Sequence, residues 1–315
     1  MQRDTNSKIV IIGAGKVGST IAYTILLNNQ ISEIVLIDID SDRAHGEVLD
    51  INHGILFLKQ AIIRDGDYED CSDASIIFIA AGIPRKPGQT RNDLLNTNAN
   101  IIREITKKVM KYASDPIILV ISNPVDILTY LVQKESGLSP KRVIGSGTIL
   151  DTGRFCYYIS EHCGVDVRNV NAYIIGEHGD NAIPLWGHTY ISSTPFSELC
   201  EYCTKSCTEV DKSKLFEYTR YAGTEVIRLK GSTSYAISLA VSRIVSAIIG
   251  NENAVLTVSS VINGNFGVYD VALSLPCIVN CNGIERYLDV KLSEQETKLL
   301  YESQKRLKTT LTNIE

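Results

Sequence analysis

Along the first half of the chain, short apolar runs alternate with longer stretches whose apolar residues recur every three or four places. Lys8 to Gly13 reads as a strand and Val17 to Asn28 as a helix. Glu33 to Asp38 (EIVLID) reads as a second strand, and Ser41 to Leu58 as a second helix capped by Ser41. Further strands are expected at Ala61 to Arg64, Ser75 to Ala80, Ile117 to Ser122 and Arg142 to Gly145. Apolar positions 94, 95, 101, 102, 105 and 109 line one side of a helix over Asn92 to Tyr112. Strand and helix alternating in this way build βαβ units on a parallel sheet.

After about residue 150 the pattern changes. An apolar strand is expected at Val170 to Ile175, and long helices at Lys212 to Leu229 and Tyr235 to Ile249. Strand-like runs at Ala254 to Val261 and Val268 to Val279 suit antiparallel pairing, with NGNFG as the turn. A polar helix over Ser293 to Thr312 closes the chain. The expected class is α/β, a doubly wound parallel sheet over residues 1–146 followed by an α+β part over 147–315. No Pro- or Ser-rich linker separates the two, so they are expected to pack together.

Composition narrows the function. A net charge of -5 argues against a nucleic-acid partner, since binding a polyanion needs a basic face. Apolar runs such as Ile76 to Ala81 are strand-sized, so no membrane span is expected. The polar start MQRDTNSK does not read as a secretory signal, which makes the cytoplasm the expected compartment. The eight cysteines are scattered, unlike a disulfide framework. Cys200, Cys203 and Cys207 form the one cluster. Their spacing allows a metal site, but it also suits one face of a helix, and with no histidine nearby they read as free thiols and no metal is expected.

Directly after the first strand comes Gly13-Ala14-Gly15-Lys16-Val17-Gly18. A loop of this kind opens a helix whose free amides and positive dipole end can hold a pyrophosphate. The first glycine allows the tight turn, the second lets phosphate approach the backbone, and the third lets helix and strand pack closely. Alone, GxGxxG is a weak signal. Here it stands between a strand and a helix, and the next strand ends in Asp38. A carboxylate there accepts hydrogen bonds from the adenosine ribose and repels a 2′-phosphate, which favours NAD over NADP.

A second group of residues suits carbonyl reduction. In Gly176-Glu177-His178-Gly179-Asp180 a histidine sits between glycines at the end of an expected strand. By itself such a histidine is more often a surface residue. In Leu150-Asp151-Thr152-Gly153-Arg154, however, Asp151 and Arg154 share one face of an expected helix. Histidine titrates near neutral pH and can protonate the carbonyl oxygen as hydride reaches carbon. An aspartate can orient the ring, and an arginine can grip a carboxylate through parallel hydrogen bonds. The segment from Ala81 to Arg91, AGIPRKPGQTR, is either a solvated basic turn or a lid that closes over a site and delivers Arg91 to the carbonyl.

These motifs together resemble the lactate/malate dehydrogenase family. The glycine loop, Asp38, the KPGxTR loop, Ser122-Asn123-Pro124-Val125-Asp126, LDTGRF, IIGEHGD and Lys230-Gly231-Ser232-Thr233 occur in the family's order. The resemblance implies a Rossmann NAD-binding domain and a catalytic domain that oxidises or reduces a small 2-hydroxy or 2-keto acid. It makes His178 the proton donor and acceptor, Asp151 its partner, Arg154 the carboxylate anchor and Arg91 the residue that polarises the carbonyl. Asn123 contacts substrate and nicotinamide, and Thr233 lines the substrate pocket. The cofactor contacts are then Gly13, Gly15, Val17, Gly18, Asp38, Gly82 and Asn123. A homotetramer or homodimer is expected.

Two positions depart from the lactate branch. Many bacterial members are activated by fructose 1,6-bisphosphate through an arginine and a histidine, where this chain has Cys156 and Asn171. Lactate enzymes of the family typically carry glutamine where this chain has Arg85, whereas malate enzymes carry arginine to pair with a second carboxylate. The expected reaction is therefore reduction of pyruvate to L-lactate, with oxaloacetate as the alternative substrate. Short-chain dehydrogenases use YxxxK, which Tyr130–Lys134 and Tyr301–Lys305 both match, but their glycine spacing differs and that reading is rejected.

Overall fold

Runs made almost wholly of apolar residues form the centre of the sheet. In β1 (Lys8–Ile12, KIVII) every position is buried. The same holds for β4 (Ile76–Ile79, IIFI) and β5 (Ile117–Val120, IILV), as expected for strands covered on both faces. The structure, a computed structural model, describes residues 7–28, 31–83, 91–199 and 209–314.

The remaining strands of the first half are β2 (Glu33–Ile37), β3 (Ile62–Asp65) and β6 (Val143–Gly145). Between strands run α1 (Lys16–Asn28), α2 (Ser41–His53), α3 (Arg91–Tyr112) and α4 (Val125–Ser136). The six strands are parallel in the order β3-β2-β1-β4-β5-β6. The chain works outward from β1 to one edge and then returns to β4 on its other side. The crevice outside the strand ends at that reversal is where open α/β sheets bind ligands.

The second half contains α5 (Ile149–Cys163), β7 (Val170–Asn171), β8 (Ile174–Gly176), β9 (Ala182–Pro184), β10 (Tyr190–Ile191), β11 (Thr194–Pro195) and α6 (Phe196–Leu199). It continues with α7 (Glu209–Lys230), α8 (Tyr235–Ile249), β12 (Ala254–Asn263), β13 (Tyr269–Asn280), β14 (Gly283–Tyr287) and α9 (Glu294–Thr312). β12 pairs antiparallel with β6, and β13, β8 and β9 follow, so one mixed sheet runs through both halves. On one face, Ile244, Val245 and Ile248 of α8 pack with Ile21, Ala22 and Ile25 of α1. On the other, Leu300, Leu307 and Leu311 of α9 join a core with Ile102 of α3 and Leu128 of α4. The halves are packed together, not tethered.

Several expectations change on contact with the structure. The stretch from Val170 to Ile175 is two strands, because β7 joins β10 in a small separate sheet while β8 joins the main one. α4 was not anticipated: its short polar stripe, Asp126, Thr129 and Gln133, lies in a run that is buried from Val125 through Val132. The second helix ends at His53, with a 3-10 turn over Ile55–Phe57, and not at Leu58. Its cap is Asp40, not Ser41: the Asp40 carboxylate accepts the N–H of Arg43 at 3.2 Å. The NGNFG turn is as expected, with Gly264 and Gly267 at φ +111° and +71° between β12 and β13.

The cap assignment is directly testable. Asp40→Ala should cost about 1 kcal/mol, the usual worth of an N-cap, and Ser41→Ala distinctly less. Urea midpoints of the two variants check this, and equal losses would contradict it.

Candidate active site

The glycine loop is shaped by close approach. Gly13 lies at φ +108°, and a Cβ there would stand 2.7 Å from the amide of Ala81. At Gly18 a Cβ would collide with the carbonyl of Gly13. At Gly15 it would meet nothing within 4 Å, which leaves the main chain open to an approaching group. The Gly13 amide donates to the Ile37 carbonyl at 2.7 Å, tying the loop to the end of β2. Asp38 follows directly and accepts from the amides of Ala14 at 2.7 Å and Asp40 at 3.0 Å. Two glycines that crowding demands and one left open fit a dinucleotide pyrophosphate at the start of α1. Val17 stands half-buried in the first turn of that helix.

Across the crevice, a chain of hydrogen bonds holds the next loop. The Ile83 amide donates to Asn98 Oδ1 at 3.0 Å, and Asn98 Nδ2 donates to the Asn123 carbonyl at 3.3 Å. Asn123 Oδ1 accepts the Val125 amide at 3.3 Å, while the residue itself is exposed at the strand end. Gly82 is exposed beside Asn98. Arg85 lies outside the described residues, as do 84–90 generally. Arg91 is the first residue of α3, and its side chain also lies outside them. The cysteines at 200, 203 and 207 are outside them too.

His178 sits in the turn between β8 and β9, with Gly176 at φ +84° and Gly179 at +111° on either side. Asp151, in the first turn of α5, is buried. The His178 Nδ1–Asp151 Oδ2 distance is 2.5 Å, which assigns that ring nitrogen as the donor and leaves Nε2 for chemistry. Arg154 Nη1 donates to the other oxygen of Asp151 at 3.1 Å. The rest of its guanidinium passes α7 at Gly223, where a Cβ would lie 3.4 Å from Nη2. Burial alone would depress the His178 pKa, but the charge and hydrogen bond of Asp151, helped by the charge of Asp126, raise it above the ordinary value. Thr233 is half-buried in the loop between α7 and α8.

Thus His178, Asp151 and Arg154 come together as the spacing of their motifs suggested. One residue at the centre was not anticipated. Asp126 in α4 is buried and accepts the His178 amide at 2.7 Å through Oδ2. Its other oxygen accepts the Ser259 hydroxyl at 2.6 Å. The available signal was an aspartate inside an apolar run immediately after Asn123. The YxxxK match at Tyr130 is accounted for elsewhere: its hydroxyl and Lys134 Nζ both bind Asp270, at 3.1 and 3.0 Å. At the two effector positions, Cys156 is half-buried with its thiol pushed up to about 11 by burial, and Asn171 is exposed on β7.

Comparison with known proteins decides the family. The family described as lactate/malate dehydrogenase, NAD binding domain, matches residues 7–145, and its alpha/beta C-terminal domain matches 148–315. The chain belongs to the lactate/malate dehydrogenase family. Among its relatives, the L-lactate dehydrogenase of Acetivibrio thermocellus is 48% identical over 308 residues, covering 98% of this chain and 97% of that one. L-lactate dehydrogenase 1 of Clostridium acetobutylicum is 46% identical over 98% of this chain and 99% of its own. In three dimensions, the minor L-lactate dehydrogenase of Enterococcus mundtii, in a ligands-bound form, superposes with a TM-score of 0.95 at 42% identity and 99% coverage of both chains. Membership makes the chain an NAD-dependent oxidoreductase with a Rossmann fold.

His178→Ala should lower turnover by at least about a hundredfold while NADH binding stays nearly unchanged. With His178 as proton donor, keto-acid reduction would need the protonated ring, so it should persist above the ordinary histidine pKa and fail as pH rises through the raised one. Asp151→Asn should move that alkaline limb to lower pH. Rate profiles against pH for the wild type and Asp151→Asn check this, and a limb that stays in place would sever Asp151 from the His178 proton.

Proposed function

We propose that the chain is an L-lactate dehydrogenase that reduces pyruvate with NADH and releases L-lactate, acting on its substrate through His178, Asp151, Arg154, Arg91, Asn123 and Thr233. The observation that carries this reading is the buried Asp151 bonded to both His178 and Arg154. One carboxylate thereby sets the distance between the proton donor and the group that would anchor a substrate carboxylate. A 2-keto acid held by its carboxylate on Arg154 presents its ketone to His178 Nε2. When bound, the nicotinamide supplies the hydride. His178 gives its proton to the carbonyl oxygen, and Asp151 stabilises the cationic ring before transfer and orients it afterwards.

Gly13, Gly15, Val17, Gly18, Asp38, Gly82 and Asn123 form the proposed NAD site, residues 1–146 the cofactor domain and 147–315 the substrate domain. Asp38 already holds the glycine loop through Ala14. A 2′-phosphate on the adenosine ribose would bring like charges together, so NAD is the preferred dinucleotide. The relatives' names favour pyruvate over oxaloacetate, and Arg85 is the residue that keeps the second substrate in play. We place the enzyme as a soluble homo-oligomer of the cytoplasm. Among the described residues no helix is long and apolar enough to cross a membrane.

A substrate panel with NADH tests the central reading: pyruvate should give the highest kcat/KM among pyruvate, oxaloacetate and branched 2-keto acids. Oxaloacetate should be reduced measurably, and Arg85→Gln should shift the ratio toward pyruvate. Millimolar fructose 1,6-bisphosphate should leave the pyruvate curve in place, as Cys156 and Asn171 offer no cation to a phosphate. Preference for oxaloacetate in the wild type would replace the lactate reading with the malate one.

Asp38 gives a separate prediction. Replacing it with serine should weaken NADH use and improve NADPH use. Titration of both cofactors decides it, and a natural preference for NADPH would overturn the assignment of β2's end.

A further inference from the structure

The loops after β4 and β5 each carry a residue of the proposed cofactor site, Gly82 on the first and Asn123 on the second. Their strands are neighbours, but the ladder between them ends early. Ile79 pairs with Val120, and the last backbone bonds across run from the Ile121 and Ser122 amides to the Ile79 carbonyl, at 2.9 and 3.4 Å. Farther out, side chains join the loops. The Ser122 hydroxyl donates to the Ala81 carbonyl at 2.5 Å, and Asn98 lies between the Ile83 amide and the Asn123 carbonyl. Among the described residues neither of these two main-chain groups has another hydrogen-bond partner. On the inner face of α3, Asn98 is buried beside Leu95, Ala99 and Ile102, while Asn96 and Asn100 of the same helix are exposed. Burying an amide is costly unless its donor and acceptor are both used. This one offers the same donor and acceptor as a peptide group, and so stands in for the strand pairing that the two loops lack.

We propose that Asn98 is a positioning residue for the nicotinamide half of the cofactor: it fixes the spacing between the loop of Gly82 and the loop of Asn123. This rests on the reading of Gly82 and Asn123 as cofactor contacts. α3 is the crossover from β4 to β5, so the segment that links the two loops in the chain also spaces them in the fold. The adenosine end is held by other means, since Asp38 accepts from the amides of Ala14 and Asp40. Damage at Asn98 should therefore reach one end of the site and spare the other.

Calorimetric titration with NADH and with AMP separates the two ends, because AMP has only the adenosine half. Asn98→Leu leaves the Ile83 amide and the Asn123 carbonyl without their partner. It should weaken NADH binding about tenfold, the scale of a lost buried hydrogen-bond partner, and leave AMP binding unchanged. A merely structural role would weaken both alike, and either that result or unchanged NADH binding overturns the proposal. Asn98→Asp keeps an oxygen toward Ile83 but, while ionised, has no donor for the Asn123 carbonyl. Protonation gives it a hydroxyl that can donate there. Its NADH affinity, taken relative to the wild type at each pH, should be low at neutral pH and recover as pH falls through the raised range of a buried carboxyl. If Asn98→Leu yields no folded protein, this variant decides. Affinity that equals the wild type's at neutral pH, or that stays low in acid, overturns the proposal. Wild-type binding of NADH no tighter than that of AMP would sink the reading of Gly82 and Asn123 itself, a result separate from either variant.

Discussion

The two halves meet backbone to backbone, and that approach determines where everything else can lie. Gly145 of β6 stands opposite Ser259 of β12 in the one registered pair that carries the parallel sheet into the antiparallel one. A Cβ on Gly145 would lie 3.0 Å from that of Ser259, and at Gly147 (φ +55°) one would lie 2.5 Å from the Ser259 amide. Only glycine fits both places. Immediately beyond, Thr148 takes up the Ser274 hydroxyl through its amide at 3.0 Å and the Ile174 carbonyl through its hydroxyl at 2.5 Å. Ile174 begins the strand that ends at the turn bearing His178, and α5, bearing Asp151 and Arg154, starts one residue after Thr148. The seam between the halves is therefore also the frame of the His178–Asp151–Arg154 group.

This frame explains why a histidine on a glycine-flanked turn can be a well-placed acid. Such a turn has little packing of its own, and Gly176 and Gly179 in left-handed conformations leave it conformationally free in the unfolded chain. In the folded protein, hydrogen bonds to two different carboxylates hold it. Asp151 takes the ring and Asp126 takes the main chain, each from the first turn of a different helix. The carboxylates also bias the same ring toward its charged form, against a burial penalty that alone would discharge it. Positioning and electrostatics are supplied by the same contacts.

The strands, the glycine loop and the His178–Asp151–Arg154 group were legible because each leaves a local mark. Parallel strands are unbroken apolar runs, glycine is required where a Cβ would collide, and residues three apart on a helix share a face. What was illegible lacked such a mark. α4 is buried all round over Val125–Val132, and its polar stripe is only Asp126, Thr129 and Gln133. The break between β7 and β8 depends on a partner strand, β10, that pairs Asn171 with Tyr190 nineteen residues away. Asp40 and Ser41 are both good caps by residue type, and only the direction in which the chain enters the helix selects one. Asp126 escaped because both its partners are distant in the chain, one on β12 and one in the turn after β8.

The uneven distribution of these marks follows from where the free energy lies. Local sequence can encode a turn or a face, because the groups that satisfy one another are close in the chain. A buried charge cannot be satisfied locally in this fold. Asp126 and His178 are 52 residues apart and Asp126 and Ser259 133 apart, so the contact exists only when both halves are assembled. In an isolated first half Asp126 would have neither donor, because His178 and Ser259 both belong to the second half. Only the assembled chain brings both donors to the carboxylate, so the cost of burying it ties its place to the complete fold.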